Sequence, residues 1–184
     1  MSIPGGSRPE AIRVALRQAE LLDRQWLAGS AGHDDVRSTP WMPFPLWDFI
    51  ALVAEALPES SGTSFLEVGS GVGTRMLIAQ EVFGLDVHGI DRVPEYVNEA
   101  WKLGLSAEVA DALDYGGYGK FDLLWFNRPL RDRALQRELE AKVWQDVRPG
   151  GVVICANLEA PPPEHWWPVL DDGEVRRWIK QRPA

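Results

Sequence analysis

Glycines 69, 71 and 73 stand at alternate positions between the apolar run SFLEV and the helical stretch TRMLIAQEVF, with Glu67 two places before the first of them. A strand that turns into a helix on three such glycines lets its backbone approach a ligand closely, at the carboxyl edge where open α/β sheets bind small molecules. The spacing is E-x-G-x-G-x-G. It is not the dinucleotide pattern G-x-G-x-x-G, because Thr74 occupies the place of the third glycine, and no G-K-[ST] follows to cradle a phosphate. Asp91 lies 18 residues beyond Gly73, near the ~20-residue interval at which a carboxylate reaches a ribose and can accept from both hydroxyls. Asp91, and Asp111 further on, could instead be solvated loop carboxylates or helix caps. Three alternate glycines exceed what a tight turn alone requires.

These residues need strands to carry them. From residue 64 onward, β-rich runs near 64–68, 86–91, 106–110, 121–126 and 151–157 alternate with helical runs near 74–83, 94–103 and 131–146, and Gly84 and Gly104 are placed to end helices. That alternation predicts a parallel sheet covered on both faces. After the fifth strand, DDG separates two extended segments as a hairpin turn would. Upstream, Ile12, Ala15, Leu16, Ala19, Leu22 and Trp26 recur at helical spacing over about 8–28, with Ser7 and Glu10 in capping-box register. The three prolines of PWMPFPLW forbid regular structure there, and residues 47–57 read as a second helix stopped by Pro58. The expected fold is α/β: a doubly wound, mostly parallel seven-stranded sheet with a C-terminal antiparallel hairpin and an N-terminal helical cap. Residues 1–58 form the cap and 59–184 the core, within one domain overall.

Composition narrows the function classes. The chain has 184 residues, long enough for one core, with 45% apolar and 25% charged residues as in ordinary globular proteins. Nineteen basic residues against 27 acidic ones leave a net charge of −8, which disfavours a broad nucleic-acid surface. No run reads as a membrane span or a signal peptide, so a cytoplasmic protein is expected. The single cysteine, Cys155, lies in an apolar strand and is expected in the core.

Three stretches in order, LEVGSGVGT (66–74), VHGIDRVPEYV (87–97) and AEVADALDY (107–115), resemble the first three motifs of the class I S-adenosylmethionine-dependent methyltransferases, each at the end of an expected strand. The resemblance implies S-adenosylmethionine as cofactor. Glu67, Gly69, Ser70, Gly71 and Gly73 would then surround the methionine end, Asp91 and Arg92 the ribose, and Asp111 and the Ala112 N–H the adenine. Methyl transfer from a sulfonium asks the protein chiefly for alignment and a dry site.

The family's acceptor motif follows the fourth strand, where this chain has NRPL. Asn127 is the residue expected to touch both acceptor and cofactor, and Arg128 suits an anionic group on the acceptor. Enzymes that methylate DNA bases or glutamine carry Asp/Asn-Pro-Pro-aromatic there; Arg128 and Leu130 depart from it. A small-molecule acceptor is therefore expected ahead of a nucleic acid. Two alternatives are an amino-methyltransferase with an atypical motif and a binding protein that keeps the fold without turnover. No metal is expected, since past the fifth strand only Asn157 matches what a metal-dependent oxygen methyltransferase would place there.

Of nine tryptophans, Trp125, Trp26 and Trp47 are expected in the core. Trp41, Phe44, Trp166 and Trp167 are candidates for a lid or an acceptor wall, with plain packing, the commonest use of tryptophan, the favoured alternative. The interval after the fifth strand is too short for the helix that the family usually has there. A sheet face left bare would call for the N-terminal helices or a second subunit, as in a homodimer.

Overall fold

The computed structural model describes residues 8–29, 42–171 and 175–180. Ser7, Trp41 and the DDG turn lie outside the described residues, as does the Trp167 side chain. Two helices, α1 (Arg8–Gly29) and α2 (Leu46–Ala56), precede the alternating core. The core runs β1 (Ser64–Val68), α3 (Thr74–Phe83), β2 (Asp86–Asp91), α4 (Pro94–Lys102), β3 (Ser106–Val109), β4 (Leu123–Asn127), α5 (Arg133–Asp146) and β5 (Val152–Ala156). The hairpin strands β6 (Trp166–Asp171) and β7 (Val175–Lys180) complete it. Spatial order is β3-β2-β1-β4-β5-β7-β6, with the first five strands parallel and the last two antiparallel. The α/β class and the mostly parallel sheet are as expected.

Alternation sorts the central strands onto two cores. Phe65, Leu123, Trp125, Val152 and Ile154 face one side, with Ala15 and Ala19 of α1, Phe49 and Val53 of α2, and Met76 and Ile78 of α3. Leu66, Val68, Leu124, Phe126, Val153 and Cys155 face the other, under Leu139, Val143 and Trp144 of α5. Strands buried on both faces must be apolar at every position, which is why LLWF and VVICA read as unbroken runs. Trp125 is 2% exposed and meets Phe44 and Phe49 edge-on, with ring centroids 5.0 and 5.5 Å apart. Each such pair adds ~0.5–1.5 kcal/mol beyond burial.

The helix ends follow the local chemistry. Gly84 and Gly104 both have positive φ where α3 and α4 stop. Asp132 caps α5, its carboxylate accepting from the N–H groups of Ala134 and Leu135 at 2.8 and 3.0 Å. The cap places the helix start at Arg133, two residues later than the periodicity suggested, because the cap residue itself stays extended.

Several aromatic expectations need correction. Trp47 lies on the outer face of α2 and is 64% exposed, since Phe49, Leu52 and Val53 take the inner face. Trp26 is half-buried against Tyr96. Trp166 takes the packing role rather than that of a lid: it is 3% exposed and packs edge-on against Trp144, with centroids 4.9 Å apart. It joins the core on the α5 side of the sheet. Cys155 is in the core as expected.

Candidate active site

One cavity of about 520 Å³ opens at the carboxyl ends of β1, β2 and β4. Glu67, Gly69, Ser70, Asp91, Arg92, Ala112, Asn127 and Arg128 all line it, so residues spread over 62 positions (67 to 128) meet at one place. Gly71, Gly73 and Asp111 do not line it. The structure also brings in Phe44, Thr74, Arg75, Tyr96, Trp125, Arg131 and Asn157.

The glycine turn works mainly through packing and backbone geometry. Gly69, Gly71 and Gly73 have φ of 74°, 52° and 82°, a region that side chains with a Cβ rarely enter. A Cβ on Gly69 would fall 2.7 Å from the Cβ of Pro129, where the turns after β1 and β4 touch. A Cβ on Gly73 would crowd Leu105 and Ala100. The glycines let the turn lie against β4 and α4. Gly89 of β2 adds a contact that sequence reasoning missed: a Cβ there would meet Ser70 Cβ at 2.8 Å and Met76 Sδ at 2.5 Å. Its place in the middle of a strand pattern is the signal that could have found it.

Asp91 ends β2 and holds the turn. Its Oδ2 accepts the Gly71 N–H at 2.8 Å and its Oδ1 accepts the Val93 N–H at 2.9 Å. Burial pushes its pKa up, opposed by those N–H groups and by the nearby Arg92 charge. Each oxygen keeps a lone pair for a further donor. Asp111 instead pairs with Arg92 Nε at 3.3 Å and accepts from the Leu113 N–H at 3.0 Å. Ala112 lines the cavity beside Ala110, and its carbonyl accepts from the buried Tyr118 hydroxyl at 2.7 Å. That bond fixes the loop after β3.

Glu67 is 5% exposed, and its Oε2 has no hydrogen-bond partner. Burial pushes its pKa from 4.5 up to about 8, against the Arg75 charge and the Met76 N–H. The neighbouring Ser70 hydroxyl is also buried without a partner. Orphaned buried polar atoms are uncommon in folded proteins, and Glu67 and Ser70 both line this cavity.

Arg75 was not singled out in the sequence, yet it fastens the cap. Its guanidinium is 5% exposed and binds Asp23 of α1 at 2.9 Å. It also donates to the Phe44 carbonyl and to Thr74 Oγ1. Helix α1 and the 42–45 segment are thus tied to the helix that follows the glycine turn.

At the far end, Asn157 Nδ2 donates to Asn127 Oδ1 at 2.9 Å, joining the ends of β4 and β5. Arg128 pairs with Glu159 at 2.8 Å. That carboxylate engages Nη2 of the guanidinium expected to meet an anion on the acceptor. Arg133 also reaches Glu159, at 3.6 Å, while Arg131 is exposed at the rim.

Neither a protein-family model nor a curated protein matches this sequence. Solved structures do match in fold. An RNA methyltransferase from Salinibacter ruber, determined with S-adenosyl-L-homocysteine, superposes with a TM-score of 0.62 at 17% identity, over 78% of this chain and 96% of that one. A protein studied for the conversion of a disulfide bond into a thioacetal group during echinomycin biosynthesis gives 0.55 at 18% identity, over 91% and 94%. DesVI of Streptomyces venezuelae gives 0.52 at 17% identity, over 90% and 71%. The chain has the Rossmann-like fold of the class I S-adenosylmethionine-dependent methyltransferases.

Proposed function

We propose that the protein is an S-adenosylmethionine-dependent methyltransferase acting on a small acceptor bound at the Asn127 end of the cavity. The observation that carries this reading is the meeting of Glu67, Asp91 and Asn127 around one cavity at the carboxyl edge of the sheet. The donor set suits the cofactor. The orphaned Oε2 of Glu67 would accept from the methionine ammonium, and a cationic group there would draw off the Glu67 proton. Asp91, already oriented by Gly71 and Val93, would accept from the ribose hydroxyls. Ala110 and Ala112 would flank the adenine, with Asp111 acting through its salt bridge to Arg92.

The chemistry supplied by the bound sulfonium is an activated methyl group open to in-line displacement. What this chain adds is alignment and exclusion of water. Trp125 and Phe44 form an apolar wall, and the Arg75 clamp holds the 42–45 segment over the cavity. The Asn127–Asn157 bond uses one N–H and one carbonyl lone pair, so both amides keep donors and acceptors for a substrate. With Arg128 neutralised by Glu159, an acceptor uncharged at its reacting end is favoured over an anionic one. Methylation of a base or amide nitrogen is a second reading, supported by Asn127 and Pro129 and weakened by the engagement of the Asn127 carbonyl with Asn157. Incubation with methyl-labelled S-adenosylmethionine and a panel of neutral and anionic small acceptors tests the proposal. Label transferred to a neutral acceptor supports it, and label found only on DNA, RNA or protein overturns it.

A further inference from the structure

Two residues without glycine's freedom leave the sheet in the left-handed region: Arg128 after β4, with φ of 39°, and Asn157 after β5, with φ of 58°. Such turns persist only where their surroundings over-determine them. The determinant lies behind the cavity, on the inner face of α5, where Gln136 and Glu140 are both 0% exposed. The Leu130 N–H donates to Gln136 Oε1 at 3.2 Å, and Gln136 Nε2 donates to Glu140 Oε1 at 3.0 Å. Glu140 also accepts the Glu159 N–H at 2.9 Å and the Ala160 N–H at 3.0 Å. The Glu159 carboxylate then returns to Arg128 at 2.8 Å, closing a ring through both turns.

A carboxylate in this position is costly to desolvate unless donors converge on it, and a well-packed apolar residue would serve burial as well. What an apolar residue could not do is hold two successive N–H groups of the segment after β5. We propose that Glu140 is a positioning residue for the acceptor end of the site. It fixes the backbone at Glu159 and Ala160, and this aims Glu159 at Arg128 and keeps Asn157 against Asn127. The inference rests on the methyltransferase reading and extends it to a residue that does not line the acceptor cavity.

Sinefungin carries an amine where S-adenosylmethionine carries its methyl, so its affinity relative to S-adenosylhomocysteine reads the acceptor end without a known acceptor. The test is calorimetric titration of both compounds into the full chain and its Glu140→Gln and Glu159→Gln variants. Glu159→Gln leaves the buried Glu140 bonds in place, so it keeps the question answerable if Glu140→Gln does not fold. The expected result is S-adenosylhomocysteine affinity kept within about twofold while sinefungin affinity falls roughly tenfold in the folded variants. Equal affinity changes for the two compounds would overturn the positioning role and reduce Glu140 to a packing group. A wild-type chain that binds neither compound would overturn the methyltransferase reading, and this inference with it.

Discussion

The Asp91 carboxylate accepts the Gly71 N–H at 2.8 Å, so the last residue of β2 holds the middle glycine of the turn after β1. One side chain thereby shapes the turn and faces the cavity. Asp91→Asn keeps an accepting oxygen and Asp91→Ala keeps none. Cofactor affinity should fall roughly 10- to 100-fold in the alanine variant, the equivalent of ~1.5–3 kcal/mol for hydrogen bonds to a charged group. The asparagine variant should fall in between. Calorimetric titration with S-adenosylhomocysteine checks this, and equal affinities for all three proteins would remove Asp91 from the site.

Glu67 makes stability and binding depend on pH in opposite ways. Its pKa is raised from 4.5 to about 8, so across that window the unfolded chain gives up a proton that the folded chain retains. Stability of the ligand-free protein therefore falls as pH rises through the window. Denaturant titrations between about pH 5 and about pH 9 should show this slope in the wild type and lose it in Glu67→Gln. A cationic ammonium at Oε2 favours the ionised form, so binding near neutral pH should release about one proton. Calorimetry in buffers of different ionisation enthalpy measures that number. Proton uptake would contradict the assignment.

Arg75 joins α1, the 42–45 segment and α3 through Asp23 and Phe44. Arg75→Met fills similar volume but leaves the half-buried Asp23 without its partner, and should cost about 3 kcal/mol. The loss should fall on the cap. Limited proteolysis is expected to cut near α1 in the variant well before the core opens, as monitored by mass spectrometry.

Gly69→Ala puts a Cβ 2.7 Å from Pro129 at a φ of 74°. Left-handed backbone alone costs ~1–2 kcal/mol, and the clash adds to it. Thermal unfolding should show a destabilisation of at least that size, with cofactor affinity falling as the two turns separate. Gly84→Ala makes the control: its φ is 72°, but nothing lies within 4 Å of the added Cβ. It should lose stability without losing affinity.

Much of the fold was legible because the signals were local. Strands buried on both faces read as apolar runs, and Gly84 and Gly104 marked helix ends that the structure places where the spacing put them. Residues such as Glu67, Asp91 and Asn127 could be picked out because each ends, or nearly ends, a strand at the same edge of the sheet. Arg75 could not, since its partners Asp23 and Phe44 lie 52 and 31 residues away and nothing in a helical run marks an arginine as buried. The partner of Arg128 was hidden for the same reason: Glu159 comes after another helix and another strand. Trp47 lies outside the core it was expected in because tryptophan's size does not say which helix face has room for it.

Calorimetric titration of the wild-type protein with S-adenosylhomocysteine, beside an NAD control, tests the central claim most directly. The account predicts saturable one-to-one binding of S-adenosylhomocysteine and none of NAD; binding of NAD, or of neither, would contradict it.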